Sequence, residues 1–179
     1  FHLFNHAFFK ALLFLGAGNV NHATGTFDMR YMGGLRKIMP LTYTCMVIGG
    51  LSLIGMFPLA GFWSKDEILG YAWHGNGFVN GWVFWTLMLG VIITTVYTTR
   101  MMIMTFHGKY RGIPPINDYE EKKQTTSGRN HHLKESPLVM LAPMGLLAVA
   151  AIFSGYIVNP QQELLGIPVH WFSEFVAPL

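Results

Sequence analysis

The chain has 179 residues, of which 51% are hydrophobic and only 12% are charged. An average soluble domain carries about 25% charged residues, so this composition favours a membrane protein. The formal net charge of +3 comes from loop lysines and arginines rather than from a basic face, which argues against nucleic acid as a partner. Cys45 is the one cysteine, so the sequence predicts no disulfide framework, zinc site or iron–sulfur cluster built from this chain.

Four apolar segments are long enough to cross a bilayer, which needs about 20 residues of helix. They run from about 1 to 20, 39 to 63, 81 to 106 and 138 to 158. None alternates like a barrel strand, and long apolar runs in lipid form helices because a helix satisfies its own backbone. The predicted fold is therefore all-α, a polytopic transmembrane helix bundle. Since the sequence opens in apolar residues at Phe1, we expect the first helix to be truncated.

The second apolar segment departs from an ordinary spanning helix. Within thirteen residues it contains Gly49, Gly50, Gly55, Pro58 and Gly61. Pro58 cannot donate to the helix ladder and clashes with the carbonyl four residues earlier. We therefore expect this helix to break around Pro58 and to continue to about residue 72. Broken helices persist in membranes where the freed backbone faces protein or a wet cavity, and such breaks often mark ion sites.

Basic residues are concentrated in two loops. The loop 21–40 holds three lysines and arginines and the stretch 107–136 holds six, whereas the stretches following Asp66 and Val158 hold none. By the positive-inside rule, both basic loops lie on the cytoplasmic-type side. The chain then divides into a helical part, 1–112, a polar cytoplasmic-side loop, 113–136, and a last part, 137–179, with the fourth helix and an outer-side tail. Asp28 and Arg30 can pair within the first loop.

Five ionisable side chains lie in or beside the apolar segments. His2, His6 and Lys10 are spaced four residues apart, and four residues of helix advance about 400°, so they project from nearly one face. Lys65 follows the broken segment and is followed at once by Asp66. An ionisable group in hydrocarbon costs at least roughly 2.5–3.5 kcal/mol, so it is by default a functional candidate. The pattern predicts that these side chains bind and release protons in turn along a proton path.

Structural alternatives remain for these residues. Lys65 could simply extend to the membrane interface beside Asp66, and the polar face of the first helix could simply bond to neighbouring helices. The i, i+4 spacing of His2 and His6 also permits metal binding, but Leu3 stands where an HExxH motif places its glutamate.

Three stretches together resemble one family. They are FHLFNHAFFKALLFLGAGNV, DMRYMGGLRKIMPLT and GLSLIGMFPLAGFWSKDEIL, and RMMIMTFHGKYRG fits as well. In order and spacing they are similar to blocks of the L-type antiporter-like membrane subunit of respiratory complex I. Lys65 favours the L-type over the M-type relative, which has glutamate there. The resemblance covers roughly residues 1–112 closely and implies a much longer subunit of the antiporter-like fold, whose first half-channel lies upstream.

The resemblance also implies roles for individual residues. The histidine pair and lysine of the family's central hydrophilic axis fall on His2, His6 and Lys10. The lysine that ends the half-channel towards the outer side falls on Lys65, with Asp66 beside it. These five residues are the predicted proton relay.

By the same resemblance, the expected function is proton translocation coupled to NADH:quinone oxidoreduction, in an integral subunit of an energy-transducing membrane. This chain would carry no redox centre, and FMN, iron–sulfur clusters and quinone would belong to partner subunits. The expected partners are the other membrane subunits of complex I, especially the M-type neighbour, and the lipid bilayer. The alternatives are a large subunit of a multisubunit Na⁺/H⁺ antiporter and a purely structural helix module.

Overall fold

A computed structural model describes residues 1–75, 77–112 and 133–158, and these residues form α-helices, short 3₁₀-helices and connecting turns without strands. The α-helices are α1 (His2–Thr24), α2 (Pro40–Ile54), α3 (Ala60–His74), α4 (Phe78–Phe106) and α5 (Leu138–Val158). The 3₁₀-helices are Met29–Tyr31 and Leu35–Lys37. The all-α prediction is confirmed. Most of the predicted polar loop, 113–132, and the predicted outer-side tail, 159–179, lie outside the described residues.

The helices differ in whether their length and hydropathy suffice to cross a membrane. Within the described residues, α4 and α5 are long and apolar enough to span it. The other two segments that were predicted to cross do not meet this criterion as single helices. The 23 residues of α1 include several polar side chains, which lower its hydropathy. The second segment forms two helices, α2 and α3, of 15 residues each, and such a helix is only about 22 Å long.

The predicted break around Pro58 is confirmed. Helix α2 ends at Ile54, and Gly55 follows in the left-handed conformation with φ 90°. The Gly55 N–H donates to the carbonyls of Leu51 and Ser52, and the Met56 N–H donates to Leu51. This is the usual glycine-terminated end of a helix. A proline, here Pro58, commonly follows such an end because proline cannot continue the helix.

Small residues bring the helices close together. A Cβ on Gly61 in α3 would overlap the Ser52 carbonyl oxygen in α2. A Cβ on Gly155 in α5 would lie 2.9 Å from the Ala60 Cα. Close backbone approach through glycine is typical of helix pairs in membranes, where dispersion contacts replace the hydrophobic effect. Here it locks the first turn of α3 between α2 and α5.

A local ion pair lies in the loop between α1 and α2, and long-range hydrogen bonds hold the start of α2. Arg30 and Asp28 form an ion pair of 2.6 Å, which confirms their predicted pairing. Hydrogen bonds from Arg30 hold the pKa of the Asp28 carboxyl below its ordinary value. At the end of this loop, Glu135 accepts hydrogen bonds from the Leu41 N–H at 2.8 Å and from the Thr42 hydroxyl at 2.6 Å. The first turn of α2 is thus capped by a residue that precedes α5.

The contact between Gly61 and Ser52 generates a stability prediction. Gly61→Ala should destabilise the purified full-length protein by about 1–3 kcal/mol, because the added methyl group forces α3 away from α2. Gly70→Ala on the same helix is the matched control, since a Cβ there meets nothing within 4 Å. Thermal denaturation of both variants measures the difference. Equal melting temperatures would contradict the packing described here.

Candidate functional site

The Lys65 side chain lies over the break between the two half-length helices. Lys65 is the sixth residue of α3, and its Nζ donates to the Leu53 carbonyl at 2.6 Å and to the Ile54 carbonyl at 3.4 Å. The last four carbonyls of a helix lack partners within the helix. In α2 the Gly55 turn serves two of them and Lys65 serves the other two. The ammonium group therefore occupies the negative end of the α2 dipole.

Two glycines make room for this arrangement. A Cβ on Gly55 would lie 3.0 Å from the Lys65 Cδ, so the bare backbone lets the lysine side chain fold back across the break. Gly61 brings its own N–H to the Ser52 hydroxyl, which accepts it at 3.2 Å. One unpartnered amide in the first turn of α3 is thereby satisfied inside the protein.

The two histidines of α1 lie beside α3. The His2 Nδ1 is 2.8 Å from the Ser64 hydroxyl, with the donor set by the histidine tautomer. The His2 and His6 ring centroids are 5.6 Å apart in an edge-on arrangement, and both rings are half-buried. Ser64 is fully buried and immediately precedes Lys65 in the chain. The structure thus brings the predicted histidine pair to the helix that carries the predicted lysine.

Asn5 is a site residue that the sequence analysis did not identify. It is 0% exposed, its amide donates to the Ala60 carbonyl at 3.2 Å, and its side-chain oxygen accepts from the Ser154 hydroxyl at 2.9 Å. Asn5 therefore joins α1 to the start of α3 and to α5. Its position between His2 and His6 on an apolar helix was the available signal, since a buried amide requires specific partners.

Lys10 and Asp66 occupy different surroundings from Lys65. Lys10 is exposed on α1, and His6 lies within Coulombic range of both Lys10 and Lys65. Asp66 is exposed on α3, and in the described part of the chain no ion pair joins it to Lys65. Lys65 is thus held by backbone oxygens rather than by the neighbouring carboxylate. Across residues 1–75, 77–112 and 133–158, no three His, Cys, Asp or Glu side chains group as metal ligands would.

Comparison with known proteins places these residues in a family. The profile of a transmembrane family described as NADH:quinone oxidoreductase/Mrp antiporter matches residues 1–98, which include all five predicted relay residues. The chain belongs to this family. It is thereby an integral membrane protein.

Individual relatives share about two residues in five with the chain. The NAD(P)H-quinone oxidoreductase chain 5 of Picosynechococcus is 42% identical over 99% of this chain and 27% of its own length. The NADH-ubiquinone oxidoreductase chain 5 of Allomyces macrogynus is 41% identical over 93% of this chain and 24% of its own. The NADH-quinone oxidoreductase subunit L of Neisseria meningitidis is 42% identical over 88% of this chain and 24% of its own length. The resemblance to the L-type subunit is confirmed, and the chain spans about a quarter of these relatives.

The double hydrogen bonding of Asn5 generates a second prediction. Asn5→Ala should destabilise the full-length protein by about 1–3 kcal/mol, because the Ala60 carbonyl and the Ser154 hydroxyl lose a partner. Ser154→Ala removes only one of the two bonds and should cost less. Chemical denaturation of both variants would show this order, and the reverse order would exclude Asn5 as the joint between the helices.

Proposed function

We propose that this chain is the part of an L-type subunit that carries protons through the membrane domain of an NADH:quinone oxidoreductase. The names of the similar proteins support the oxidoreductase assignment. The observation that carries the proton role is the position of Lys65. Its ammonium group lies at the break between two short helices, where its partners among the described residues are backbone oxygens, and it is one residue away from the serine that meets His2. Because the carbonyls that accept from Lys65 are neutral, the amine can give up its proton without leaving an unpaired anion among them.

The residues on α1 and α3 have distinct proposed roles. His2, His6 and Lys10 relay protons along the membrane's mid-plane, and Lys65 exchanges them with the outer side. Asp66, exposed one residue further on, receives protons that leave Lys65. Imidazole exchanges protons near neutral pH, which suits a relay between lysines. The basic loops lie on the cytoplasmic-type side in this proposal, as their lysines and arginines indicate.

Coupling between the stations is electrostatic. Two unit charges 4 Å apart interact by about 4 kcal/mol at an effective dielectric constant of 20, and more weakly as they separate. A proton that arrives at His6 therefore raises the free energy of the charge on Lys65, and the reverse also holds. His6 lies within electrostatic reach of both Lys10 and Lys65, which supports such a sequence.

Electron transfer is assigned to other chains. FMN, iron–sulfur clusters and quinone belong to partner subunits in this proposal, and the translocase part of the enzyme is this chain's contribution. The M-type subunit is the proposed neighbour in the membrane. The family profile also covers Mrp antiporters, but the similar proteins are named NADH-quinone oxidoreductase chain 5 or subunit L, which supports the oxidoreductase over the multisubunit Na⁺/H⁺ antiporter. Purification with flavin- and cluster-binding chains would support the oxidoreductase, and purification with small membrane chains alone would support the antiporter.

Lys65 allows a sharp test of the proton role. Lys65→Ala should reduce proton pumping at least tenfold in membrane vesicles of the full complex, measured together with NADH oxidation. Lys65→Arg separates structure from proton exchange, because guanidinium still donates to the α2 carbonyls but does not deprotonate in proteins. It should therefore pump as poorly as Lys65→Ala while retaining stability.

Lys37→Ala is the control for this test, since Lys37 is exposed in the loop between α1 and α2. It should leave the ratio of protons pumped to electrons transferred unchanged. An unchanged ratio in Lys65→Arg and Lys65→Ala would remove Lys65 from the mechanism.

A further inference from the structure

Arg100 lies on the exposed face of the membrane-spanning helix α4. It follows Thr98 by two residues, or about 200° around the helix, and Thr98 is buried against Gly50 of α2. The Arg100 side chain is therefore turned away from α2, and it is exposed. It lies six residues, or about 9 Å, before the end of α4 at Phe106. A charged residue thus lies inside a spanning helix, on a face that has no part in the relay of α1 and α3.

Arg100 lacks the partners that the nearby loop arginines have. Arg30 pairs with Asp28, and Arg111 donates to a carbonyl of the loop between α1 and α2 at 3.0 Å. Within the described part of the chain, Arg100 donates from its Nε to the Met104 sulfur at 3.5 Å, and no carboxylate pairs with it. A thioether is a weak acceptor. The two terminal nitrogens of the guanidinium are therefore available for an anion.

Trp82 lies on the same line of α4 as Arg100. It precedes Arg100 by eighteen residues, which is five full turns, so the two residues are about 27 Å apart along one face. The large side chains between them on this face are aliphatic and more than half exposed, namely Leu89, Ile93 and Val96. Trp82 is itself more than half exposed. The face is thus apolar along its length, with an indole at one end and a guanidinium at the other.

This arrangement has the features of a face that contacts lipid. The hydrocarbon core of a bilayer is about 30 Å thick, which matches the spacing of Trp82 and Arg100. Tryptophan is enriched at the membrane interface, and arginine extends its charge towards the headgroups. Faces through which membrane helices pack on one another are rich in small residues, whereas this one is lined by large aliphatic side chains. Thr86 also lies on it, and its hydroxyl is satisfied by the Trp82 carbonyl at 2.8 Å.

We propose that Arg100 binds the phosphate of an anionic phospholipid in the leaflet next to the basic loops, with an acyl chain of this lipid lying along Val96 and Ile93. The planar guanidinium can hold two phosphate oxygens at once. An anionic headgroup is favoured over a zwitterionic one because it has no ammonium group of its own to offset the phosphate. This site does not depend on the proposed role of Lys65. It fixes the depth of α4 in the membrane.

The lipid beside Arg100 can be identified by cross-linking in the full-length protein within its complex. The photoreactive residue p-benzoylphenylalanine replaces Ile103, which is exposed one turn from Arg100. The complex is reconstituted in vesicles of phosphatidylcholine and phosphatidylglycerol, and the adducts are identified by mass spectrometry. The ratio of phosphatidylglycerol to phosphatidylcholine adducts should exceed the ratio in the vesicles roughly fivefold. Adducts with protein rather than lipid, or a ratio equal to that of the vesicles, would overturn the site.

Variants of Arg100 separate a specific site from general attraction by the basic surface. Arg100→Gln should return the adduct ratio to that of the vesicles, whereas Arg100→Lys keeps the charge and should retain most of the enrichment. Arg36→Gln is the matched control, since it removes one exposed arginine from the loop between α1 and α2, and it should leave the enrichment unchanged. Equal losses in Arg100→Gln and Arg36→Gln, or no loss in Arg100→Gln, would show that Arg100 does not form the site.

Discussion

The contact of the Lys65 ammonium with the last carbonyls of α2 holds the interrupted helix together. In a bilayer every backbone polar group needs a partner within the protein, and a helix that stops inside the membrane exposes four carbonyls. The left-handed turn at Gly55 satisfies those of Leu51 and Ser52. Lys65 satisfies those of Leu53 and Ile54. The same interaction stabilises an ammonium group that would be costly to bury in hydrocarbon without partners. The helix break supplies the acceptors that Lys65 needs, and Lys65 supplies the donor that the broken helix needs.

Helix α2 carries charged partners of opposite sign at its two ends. The Glu135 carboxylate binds the first turn, and the Lys65 ammonium binds the last. Each charge matches the local sign of the helix dipole, an effect of about 0.3–1 kcal/mol per end and up to about 2 kcal/mol where partly buried. A helix of 15 residues is only marginally stable in isolation. The contacts at its two ends, together with its packing, explain why α2 forms here. Helix α2 thus holds the site of Lys65 at a fixed distance from the basic loops.

The sequence was sufficient to predict the break, because Pro58 and the glycines around it act through local backbone chemistry. It also singled out His2, His6 and Lys65 as candidates, because ionisable groups in an apolar segment are conspicuous, and their role in proton transfer stays a prediction. The partner of Lys65 was not predictable in this way. Every residue has a carbonyl, so backbone acceptors leave no mark in the sequence, and only the path of the chain shows which ones the amine reaches. The same holds for Glu135, whose partners on α2 lie more than ninety positions earlier.

The proposed proton exchange acts on the contact that stabilises the break. When Lys65 is charged, its attraction to the α2 C-terminus is worth about 0.3–2 kcal/mol, which corresponds to a roughly two- to thirtyfold change in an equilibrium constant. Release of the proton removes this attraction. The tight contacts at Gly61 and Gly155 fix the helix backbones, so the change is taken up by the lysine side chain and by the Leu53 and Ile54 carbonyls.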